Sequence, residues 1–532
     1  MHRLLFSGQE SPAQTSEGVC FRFYGLVLEE NDSFRHNCNF CVFKELQCER
    51  KESVMDWKWI FEVVVERVKA ELSESAEAFE GELTAEAAQR VVSVLNKAMS
   101  AAWVEAFRSY LKSHDPKRDT IEMEGEIYRW KMSSPKEFLT PGGPMLLERN
   151  LYQRDRGGEC CVPVDVAWGM VGQFATVEVR EAVLFGVAQL PPREVGELLK
   201  KCAWFHPSTS AIHTMTQEIG QWLEEHEELP QEVRAEESVP AETRVLVGSL
   251  DGVNVLLAEP GPKPGRPTAA ARSQGQVAES PTCYKNAMVG CLSYYGEVPR
   301  GESCPERLQS RYVARMPEEG SPTFRAQWEA EWDASVAKLA PGAIKVMLCD
   351  AARHLWDYLD ADSRYDDCEK LVDFWHTTDH LSKASEALFG KGSEEGKKWQ
   401  EKHRHRLKHL PGAVESLLRS MDYYASTRKL SAHRREKLAG ERNFFRNNQD
   451  RMDYPGFLAR GLPIGSGPVE AACKSLVKTR MCRSGMRWSR TRGQYVLTLR
   501  TYLKSGRWDA MWCRYKALCT RKPSPDHLAQ AA

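Results

Sequence analysis

Residues 244–259 read RVLVGSLDGVNVLLAE. Val and Leu recur throughout this stretch, which is typical of a buried β-strand, and Asp251 interrupts it after the first apolar run. A carboxylate at the end of a buried run costs free energy unless something pairs with it. We therefore predict a core strand that ends in a functional acid, in a domain that begins near Arg244.

Further strand and helix patterns follow this one along the chain. Two helical patterns, at 321–340 and 351–360, alternate with the later strands. Four more segments read as strands: YKNAMVGCLSYYG (284–296), SRYVARM (310–316), GAIKVMLCD (342–350) and EKLVDFWH (369–376). The order is three strands, helix, strand, helix, strand, which predicts a meander followed by a βαβ unit in an α/β domain.

The chain before this domain has a different character. Residues 1–50 show no clear period, and residues 51–165 read as a helical N-terminal domain. Residues 166–228 hold three short helical patterns with tight breaks, which fit either a DNA-binding helix-turn-helix or a plain helical bundle. Residues 229–243 are acidic and contain proline, so they read as a linker.

Composition limits the classes of function. The 532 residues are 42% hydrophobic and 28% charged, with a formal net charge of −1, so a nucleic-acid partner would have to meet a local basic patch. No apolar run is long enough to span a membrane, and the start has too short an apolar core for a secretory signal. The sixteen cysteines mostly stand singly in apolar stretches, which indicates reduced thiols in the cytoplasm. We do not expect zinc at Cys38 and Cys41, because no second pair with suitable spacing follows.

Three carboxylates are candidates for chemistry. Asp251 and Asp350 each end an apolar strand run, and Glu470 stands in the first turn of a helix after the sequence GSGP, with Gly467 as its cap and Pro468 at the first helical position. Taken singly, each acid could equally be a turn or capping residue. Together they would form a hard-oxygen site suited to Mg²⁺, and two such ions could serve phosphodiester cleavage.

Glu470 heads a markedly basic stretch. From Ala471 to Arg507 the chain contains ten Lys or Arg and no Asp or Glu. Lys474 and Lys478 follow Glu470 at four-residue steps, which places them on one helix face. We expect these cations to contact DNA phosphates. The predicted DNA-binding residues are Lys474, Lys478, Arg480, Arg483, Arg487, Trp488, Arg490 and Arg492. Trp488 could stack on an unpaired base, or it could pack in the core.

Several segments resemble, in order, the DDE transposases of bacterial insertion sequences of the Kra type, which are allied to Mutator-like elements. The resemblance covers about Arg244 to Trp512. It is carried by LDGVNV, YKNAMVGCLSYYG, ARMPEEG, LCDAARHLW, LVDFWHTTDHL and GLPIGSGPVEAACKSLVKTRMCRSGMRWS. The sequence departs from the family pattern at Ala351, where glycine is usual, and in having Cys160 and Cys161 adjacent instead of a spaced cysteine pair.

The resemblance implies an RNase H-like catalytic domain with a helical insertion before its last catalytic helix. The first catalytic part would span 244–389, the insertion 390–455, and the last part, with the basic helix, 456–515, followed by a tail at 516–532.

The resemblance also implies roles for individual residues. Asp251, Asp350 and Glu470 would bind two catalytic Mg²⁺ or Mn²⁺ ions. Asp373 and His376 match the family's Asp-x-x-His element, although His376 could also be a hydrogen-bonded core histidine. Double-stranded DNA would be the partner, bound by a homodimer or larger assembly in the bacterial nucleoid.

Two alternatives use the same residues. One is an RNase H-like structure-specific nuclease, such as a junction resolvase, and the other is a domesticated transposase that binds DNA without catalysis. Transfer of a pre-cut DNA end separates the first from a transposase. The second would be indicated by a missing acid, and all three are present in this chain.

Overall fold

The computed structural model describes residues 58–115, 117–123, 125–154, 158–258, 282–302 and 304–519. The predictions for residues 1–50, including the Cys38 and Cys41 pair, lie outside the described residues. No helix in the described ranges is long and apolar enough to cross a membrane.

The N-terminal part of the described chain combines helices with a small antiparallel sheet. Its elements are α1 (Lys58–Glu74), α2 (Ala85–Ser113), β1 (Thr120–Met123), β2 (Glu126–Thr140), β3 (Gly143–Arg154), β4 (Cys160–Cys161) and α3 (Pro163–Trp168), with the sheet in the order β1-β2-β3-β4. The prediction that residues 51–165 are helical is therefore wrong from Thr120 onward. In β3, Met145 and Leu147 are buried while Leu146 between them is exposed. This period of two is typical of a strand with one covered face.

A helical bundle follows. It consists of α4 (Val177–Gln189), α5 (Pro192–Cys202), α6 (Thr209–Glu225) and α7 (Glu228–Glu236). Val183, Val195 and Ile212 join α4, α5 and α6 in one core. The sequence of α6 contains no Lys or Arg that could meet DNA phosphates. The helix-turn-helix and the plain helical bundle both stay predictions for residues 166–228.

The predicted linker at 229–243 is largely a packed helix. Leu229 and Val233 of α7 are buried in the core that α7 shares with the C-terminal helices. Directly after α7, Glu237 accepts hydrogen bonds from Arg507, and Arg507 also donates to the buried Glu331. Burial alone would lower the pKa of Arg507, but the two carboxylates more than offset this and hold it above its usual value. The linker prediction is wrong because the segment is rich in acids, and its two buried apolar residues, although at helical spacing, are too few to produce a clear helical pattern.

The larger sheet forms the centre of the molecule. Its strands are β5 (Val245–Ala258), β6 (Thr282–Tyr295), β7 (Arg307–Arg315), β8 (Ile344–Cys349) and β9 (Glu369–Val372), in the order β7-β6-β5-β8-β9. The first three strands pair antiparallel, β8 pairs parallel with β5, and β9 pairs parallel with β8. Two helices lie between the later strands: α8 (Pro322–Val336) and α9 (Arg353–Ala361). The predicted meander and βαβ unit are confirmed.

Both faces of this sheet are covered. On one face, Phe324, Trp328 and Trp332 of α8 pack against the strands. On the other face, Val469 and Leu476 pack against residues of β5 and β6. Successive residues of a strand point to opposite faces, and β5, β6 and β7 contribute residues to both cores. Such a doubly covered sheet explains the nearly continuous apolar runs that marked the strands in the sequence.

A block of helices follows β9. It contains α10 (Phe374–Phe389), α11 (Glu394–His409), α12 (Ala413–Thr427), α13 (Ala432–Asn447) and α14 (Tyr454–Ala459). Leu388, Leu407, Leu417 and Phe445 from this block are buried in the same core as the strands. The helical segment expected at 390–455 is present, and it packs as part of the central core.

The C-terminal part returns to the sheet. A helix begins as α15 (Gly467–Ala472), widens into a π turn at Cys473–Lys478 and ends as α16 (Thr479–Met481); α17 (Arg490–Lys504) and α18 (Trp508–Cys519) follow. The N-cap is Ser466, one residue before the predicted Gly467, and Pro468 lies in the first turn as expected. Because α18 continues to Cys519, the predicted tail at 516–532 begins as helix.

Candidate active site

Asp251 lies within β5, and Asp350 directly follows the end of the neighbouring parallel strand β8. The β5–β8 ladder ends with Gly248 opposite Met347, and each acid stands three residues further along its chain. Equal offsets in a parallel pair place two side chains side by side on the same face. The expectation that Asp251 ends its strand is wrong, since β5 continues to Ala258, but the ladder to β8 does end before it.

Asp251 is held by two hydrogen-bond donors. The backbone N–H of Gly252 donates to Oδ1 at 2.6 Å, and the buried Cys473 thiol donates to Oδ2 at 3.3 Å. Burial raises the pKa of Asp251, the two donors act in the opposite direction, and the nearby Asp350 raises it further. Like charges that raise a pKa are typical of carboxylates that share one site, where a cation would be stabilised.

Asp350 is fixed by the turn that leads from β8 into α9. Its Oδ1 accepts a hydrogen bond from the backbone N–H of Ala352 at 3.0 Å, and its carbonyl oxygen accepts one from Trp356 Nε1 at 2.7 Å. The alanine at position 351, where the resembled family usually has glycine, packs against the core beside this turn. The carboxylate is thus held at a strand end, where ligands of α/β sheets commonly bind.

Glu470 approaches from the helix that covers the sheet. It stands in the first turn of α15, is exposed, and its Oε1 lies 3.4 Å from the Ser466 hydroxyl. A single cavity of about 970 Å³ is lined by Asp251, Asp350 and Glu470, together with His376 and Lys474. The structure therefore brings together all three predicted carboxylates, which lie far apart in the sequence.

The donor set suits a hard cation. Among the described residues, no three His, Cys, Asp or Glu side chains are close enough together to form a ready metal cluster. Mg²⁺ does not need one, because it is held by one or two carboxylates plus water and phosphate oxygens. Asp251 and Asp350, close enough to interact electrostatically at the cavity, meet that requirement, and Glu470 lines the same cavity.

Asp373 and His376 have different positions. Asp373 is 1% exposed; its Oδ1 accepts from the backbone N–H of His376 at 2.6 Å, and its other oxygen accepts from the backbone N–H of Ser466. Asp373 therefore ties the start of α10 to the N-cap of the Glu470 helix, which corrects the prediction of a catalytic role to a positioning role. His376 lines the cavity, so its alternative as a core histidine is not what the structure shows.

The predicted DNA-binding residues divide into three groups: two at the cavity, four elsewhere outside the core, and two in the core. Lys474 and Lys478 are exposed and line the cavity. Four arginines lie elsewhere outside the core. Arg483 is exposed and paired with Glu194 at 2.8 Å, and Arg487 and Arg492 are exposed. Arg490 is half-buried and donates to the Pro317 carbonyl.

Two residues of the predicted DNA-binding set belong to the core. Arg480 is 1% exposed and donates to the Val187 carbonyl at 3.1 Å, so the prediction that it contacts DNA is wrong. Trp488 packs between two cores, and its Nε1 donates to the Met481 carbonyl at 2.9 Å. Its backbone also bridges to Leu257, and the core-packing alternative therefore holds for Trp488. Apolar and cationic side chains alternate so closely here that sequence could not separate the two fates.

Sequence reasoning missed two residues beside the acids. Cys473 contacts Asp251, but its position in the apolar stripe of the helix indicated only packing. Ser466 occupies the N-cap position of the Glu470 helix, and its backbone N–H donates to Asp373. Its place before Gly-Pro is the one signal that could have revealed it.

Comparison with known proteins adds little to this geometry. No protein-family model and no curated protein sequence matches the chain. A solved structure, the Drosophila P element transposase strand transfer complex, aligns over 65% of this chain and 81% of that chain, with 12% sequence identity and a TM-score of 0.21. A TM-score this low supports neither a fold nor a function.

Proposed function

We propose that this protein is a DDE transposase that cleaves transposon ends and joins them to target DNA. The observation that carries the proposal is the shared cavity, which is lined by Asp251 from β5, by Asp350 from the end of the neighbouring β8 and by Glu470 from the covering helix. Hydrolysis at each end would leave a 3′-hydroxyl, and that hydroxyl would then attack a phosphodiester of the target DNA in the same cavity.

The central sheet supports an RNase H-like assignment for the catalytic domain. A three-stranded meander is extended on its first strand by two parallel strands, and the first acid stands beside the end of that parallel ladder. The helical block inserted between β9 and the Glu470 helix agrees with the interrupted domain that the sequence resemblance implies. From the sheet, the inserted helical block and the sequence resemblance, we propose that the chain belongs to the Kra type of bacterial insertion-sequence transposases.

Two Mg²⁺ or Mn²⁺ ions are the proposed cofactors, held by Asp251, Asp350 and Glu470. Such ions, when bound, activate an attacking hydroxyl and stabilise the leaving oxygen of an in-line displacement. The protein's own contribution is the fixed placement of the carboxylates by a strand, a strand-end turn and the first turn of a helix. His376 stands in the same cavity, within reach of the reacting DNA.

Double-stranded DNA is the proposed partner. Lys474 and Lys478 line the cavity beside Glu470. Arg483 and Arg487, in the loop after that helix, and Arg492, in the first turn of α17, extend the positive surface. Cations so placed would neutralise phosphates without reading sequence. Because two transposon ends must be held together, we propose a homodimer or larger assembly, acting in the bacterial nucleoid.

The direct test replaces each carboxylate without changing its shape. Asp251→Asn, Asp350→Asn and Glu470→Gln should each reduce Mg²⁺-dependent cleavage of the element's end DNA to background, while binding of the same DNA persists. Asp366→Asn, an exposed acid outside the cavity, is the matched control and should cut normally. Mg²⁺-dependent cleavage retained by any of the three variants would sink the assignment.

A second assay separates a transposase from a structure-specific nuclease. Pre-cut end DNA with a free 3′-hydroxyl is incubated with a supercoiled target plasmid and Mn²⁺. A transposase should join the two molecules, and the product should be lost in the carboxylate variants. Cleavage of branched DNA without joining would favour the nuclease instead.

A further inference from the structure

The helix that carries Glu470 contains a π turn at Cys473–Lys478. In a regular α-helix, four residues advance by about 400°, so residues at four-residue steps drift by about 40° each time. A π turn has more residues per turn and reduces this drift. The wide turn therefore brings Lys478 back toward the side of Glu470, and Lys474 and Lys478 both line the cavity. π turns are rare and are frequently found at functional sites, so we looked for the contacts that stabilise this one.

Arg500 of α17 lies against the π turn from behind. It is 4% exposed, and its Nε donates to the Leu476 carbonyl at 2.7 Å. Its two terminal nitrogens donate to the carbonyls of Ser475 and Ala188. Burial lowers the pKa of Arg500 to about 10, which leaves the guanidinium charged at neutral pH. A buried cation thus joins two carbonyls of the π turn to the C-terminal end of α4, where the helix dipole favours positive charge.

Arg480 offers a natural comparison. It is also buried, and its Nε donates to the Val187 carbonyl at 3.1 Å, next to the α4 carbonyl that Arg500 uses. Its guanidinium lies 5.3 Å from the centre of the Trp488 ring. Burial lowers the pKa of Arg480 to about 10 as well. The two arginines therefore share burial and the α4 acceptor site, but the hydrogen bonds of Arg500 reach the π turn and that of Arg480 does not.

We propose that Arg500 is a positioning residue that holds the π turn and thereby presents Lys474 and Lys478 to DNA at the catalytic cavity. The part of this inference that concerns DNA rests on the proposed function. The part that concerns the helix does not, because the contacts of Arg500 are internal. Arg500 also makes the N-terminal bundle a support of the catalytic helix, since the same guanidinium holds α4.

The first experiment needs no DNA. Hydrogen exchange is measured at residues 473–479 in the wild-type chain, in Arg500→Gln and in the matched variant Arg480→Gln. Arg500→Gln should speed exchange in this segment at least tenfold more than Arg480→Gln does, while both variants lose stability. Equal effects of the two variants on residues 473–479 would overturn the proposal. If Arg500→Gln does not fold, Arg500→Lys serves instead, because it keeps the charge and loses the planar fork.

The second experiment measures the salt dependence of binding to a labelled duplex. Each lost phosphate contact lowers the slope of log K against log [salt] by about 0.9. Lys478→Gln should lower it by about that amount. Arg500→Gln should lower it by about 1 to 2, and Arg480→Gln should not change it. Adding Lys478→Gln to Arg500→Gln should have little further effect, because Lys478 is already displaced.

The two experiments distinguish the failure of this inference from failure of the proposed function. Fully additive losses in the Arg500→Gln and Lys478→Gln double variant would overturn the link between Arg500 and the lysines. An unchanged slope in Lys478→Gln would remove Lys478 as a DNA contact and overturn the DNA half of the inference. Faster exchange in Arg500→Gln would still support the internal half. Cleavage by the carboxylate variants bears only on the proposed function.

Discussion

Asp251 lies inside a strand of fourteen residues, with seven more after it, although its sequence suggested a strand end. Asp251 can line the cavity because the neighbouring strand β8 stops pairing with β5 at Gly248, three residues before it. Whether an acid stands at the edge of a sheet thus depends on the length of the strand beside it. A single residue's role at this site is set by register, which apolar pattern does not encode.

Gly290 shows how tightly the core around the sheet is packed. A Cβ at this position in β6 would lie 2.5 Å from Cε3 of Trp328, which is fully buried against the sheet. We expect Gly290→Ala to destabilise the protein by about 1–3 kcal/mol, because an added methyl forces the ring or the strand to move. Urea denaturation measures the difference.

Gly440→Ala is the matched control for this prediction. Gly440 lies exposed within α13, and a Cβ there would have no atom within 4 Å. Alanine is favoured over glycine in a helix interior by about 1 kcal/mol, so this variant should gain stability. A Gly290→Ala protein as stable as the wild type would show that the packing at Trp328 is looser than described.

At the scale of elements, α11 combines a charged exterior with one buried histidine. His403 is 2% exposed, its ring centre lies 4.6 Å from that of Trp399, and its Nδ1 has no hydrogen-bond partner in the described structure. Burial lowers the pKa of His403 to about 4, and the neighbouring Lys402 and Arg406 act in the same direction. The folded helix therefore holds a neutral imidazole where the unfolded chain would accept a proton.

This difference predicts a loss of stability in mild acid. Above about pH 6.5 both states are neutral at His403, and as the pH falls toward about 4 only the unfolded state gains a proton. The free energy of unfolding should therefore fall by about 2 kcal/mol between about pH 7 and pH 5 on account of His403 alone. Urea denaturation of His403→Leu at the two pH values should show a correspondingly smaller loss.

His405→Gln, an exposed histidine on the same helix, is the control for His403. It should show the same loss of stability on acidification as the wild-type protein. If His403→Leu and the wild type lose stability equally, His403 is not the group that senses pH in this element.

At the scale of the whole molecule, the sequence pattern changes near Arg244, but the segments before and after this position share a hydrophobic core. Leu223 and Leu229 from the N-terminal side share a core with Leu499, Met511 and Trp512 from the C-terminal side. Gly220 of α6 lies so close to α17 that a Cβ there would be 2.3 Å from Tyr495 Cγ. The bundle and the part of the chain after Arg244 are therefore expected to fold together.

We expect a chain cut between residues 243 and 244 to need both of its halves. The fragment 244–532 expressed alone should be insoluble or lack cooperative thermal unfolding, because it exposes the apolar faces of α17 and α18. Co-expression with 1–243 should restore a soluble complex. The fragment 172–532, which keeps α4–α7, serves as the control and should unfold cooperatively. A stable, cooperative 244–532 would contradict this prediction.

How much the sequence determined varies along the chain. The order of the strands and helices after Arg244 was predictable, because each run is strongly apolar with a clear period and short punctuation. The sheet at Thr120–Cys161 and the helix α7 were not, because their buried residues are few and are masked by polar neighbours. Secondary structure can be predicted from apolar periodicity only where a segment buries enough residues for the period to stand out in its sequence.

The sequence by itself predicted an α/β central domain, three candidate carboxylates and the basic stretch behind Glu470. Only the tertiary structure decided which cations face the cavity and which are buried, moving Arg480 and Trp488 into the core and leaving Lys474 and Lys478 at the site. Only it revealed the π turn and the arginine behind it. The physical reason is that composition reports whether a residue is charged, whereas its surroundings decide whether that charge meets solvent or a carbonyl.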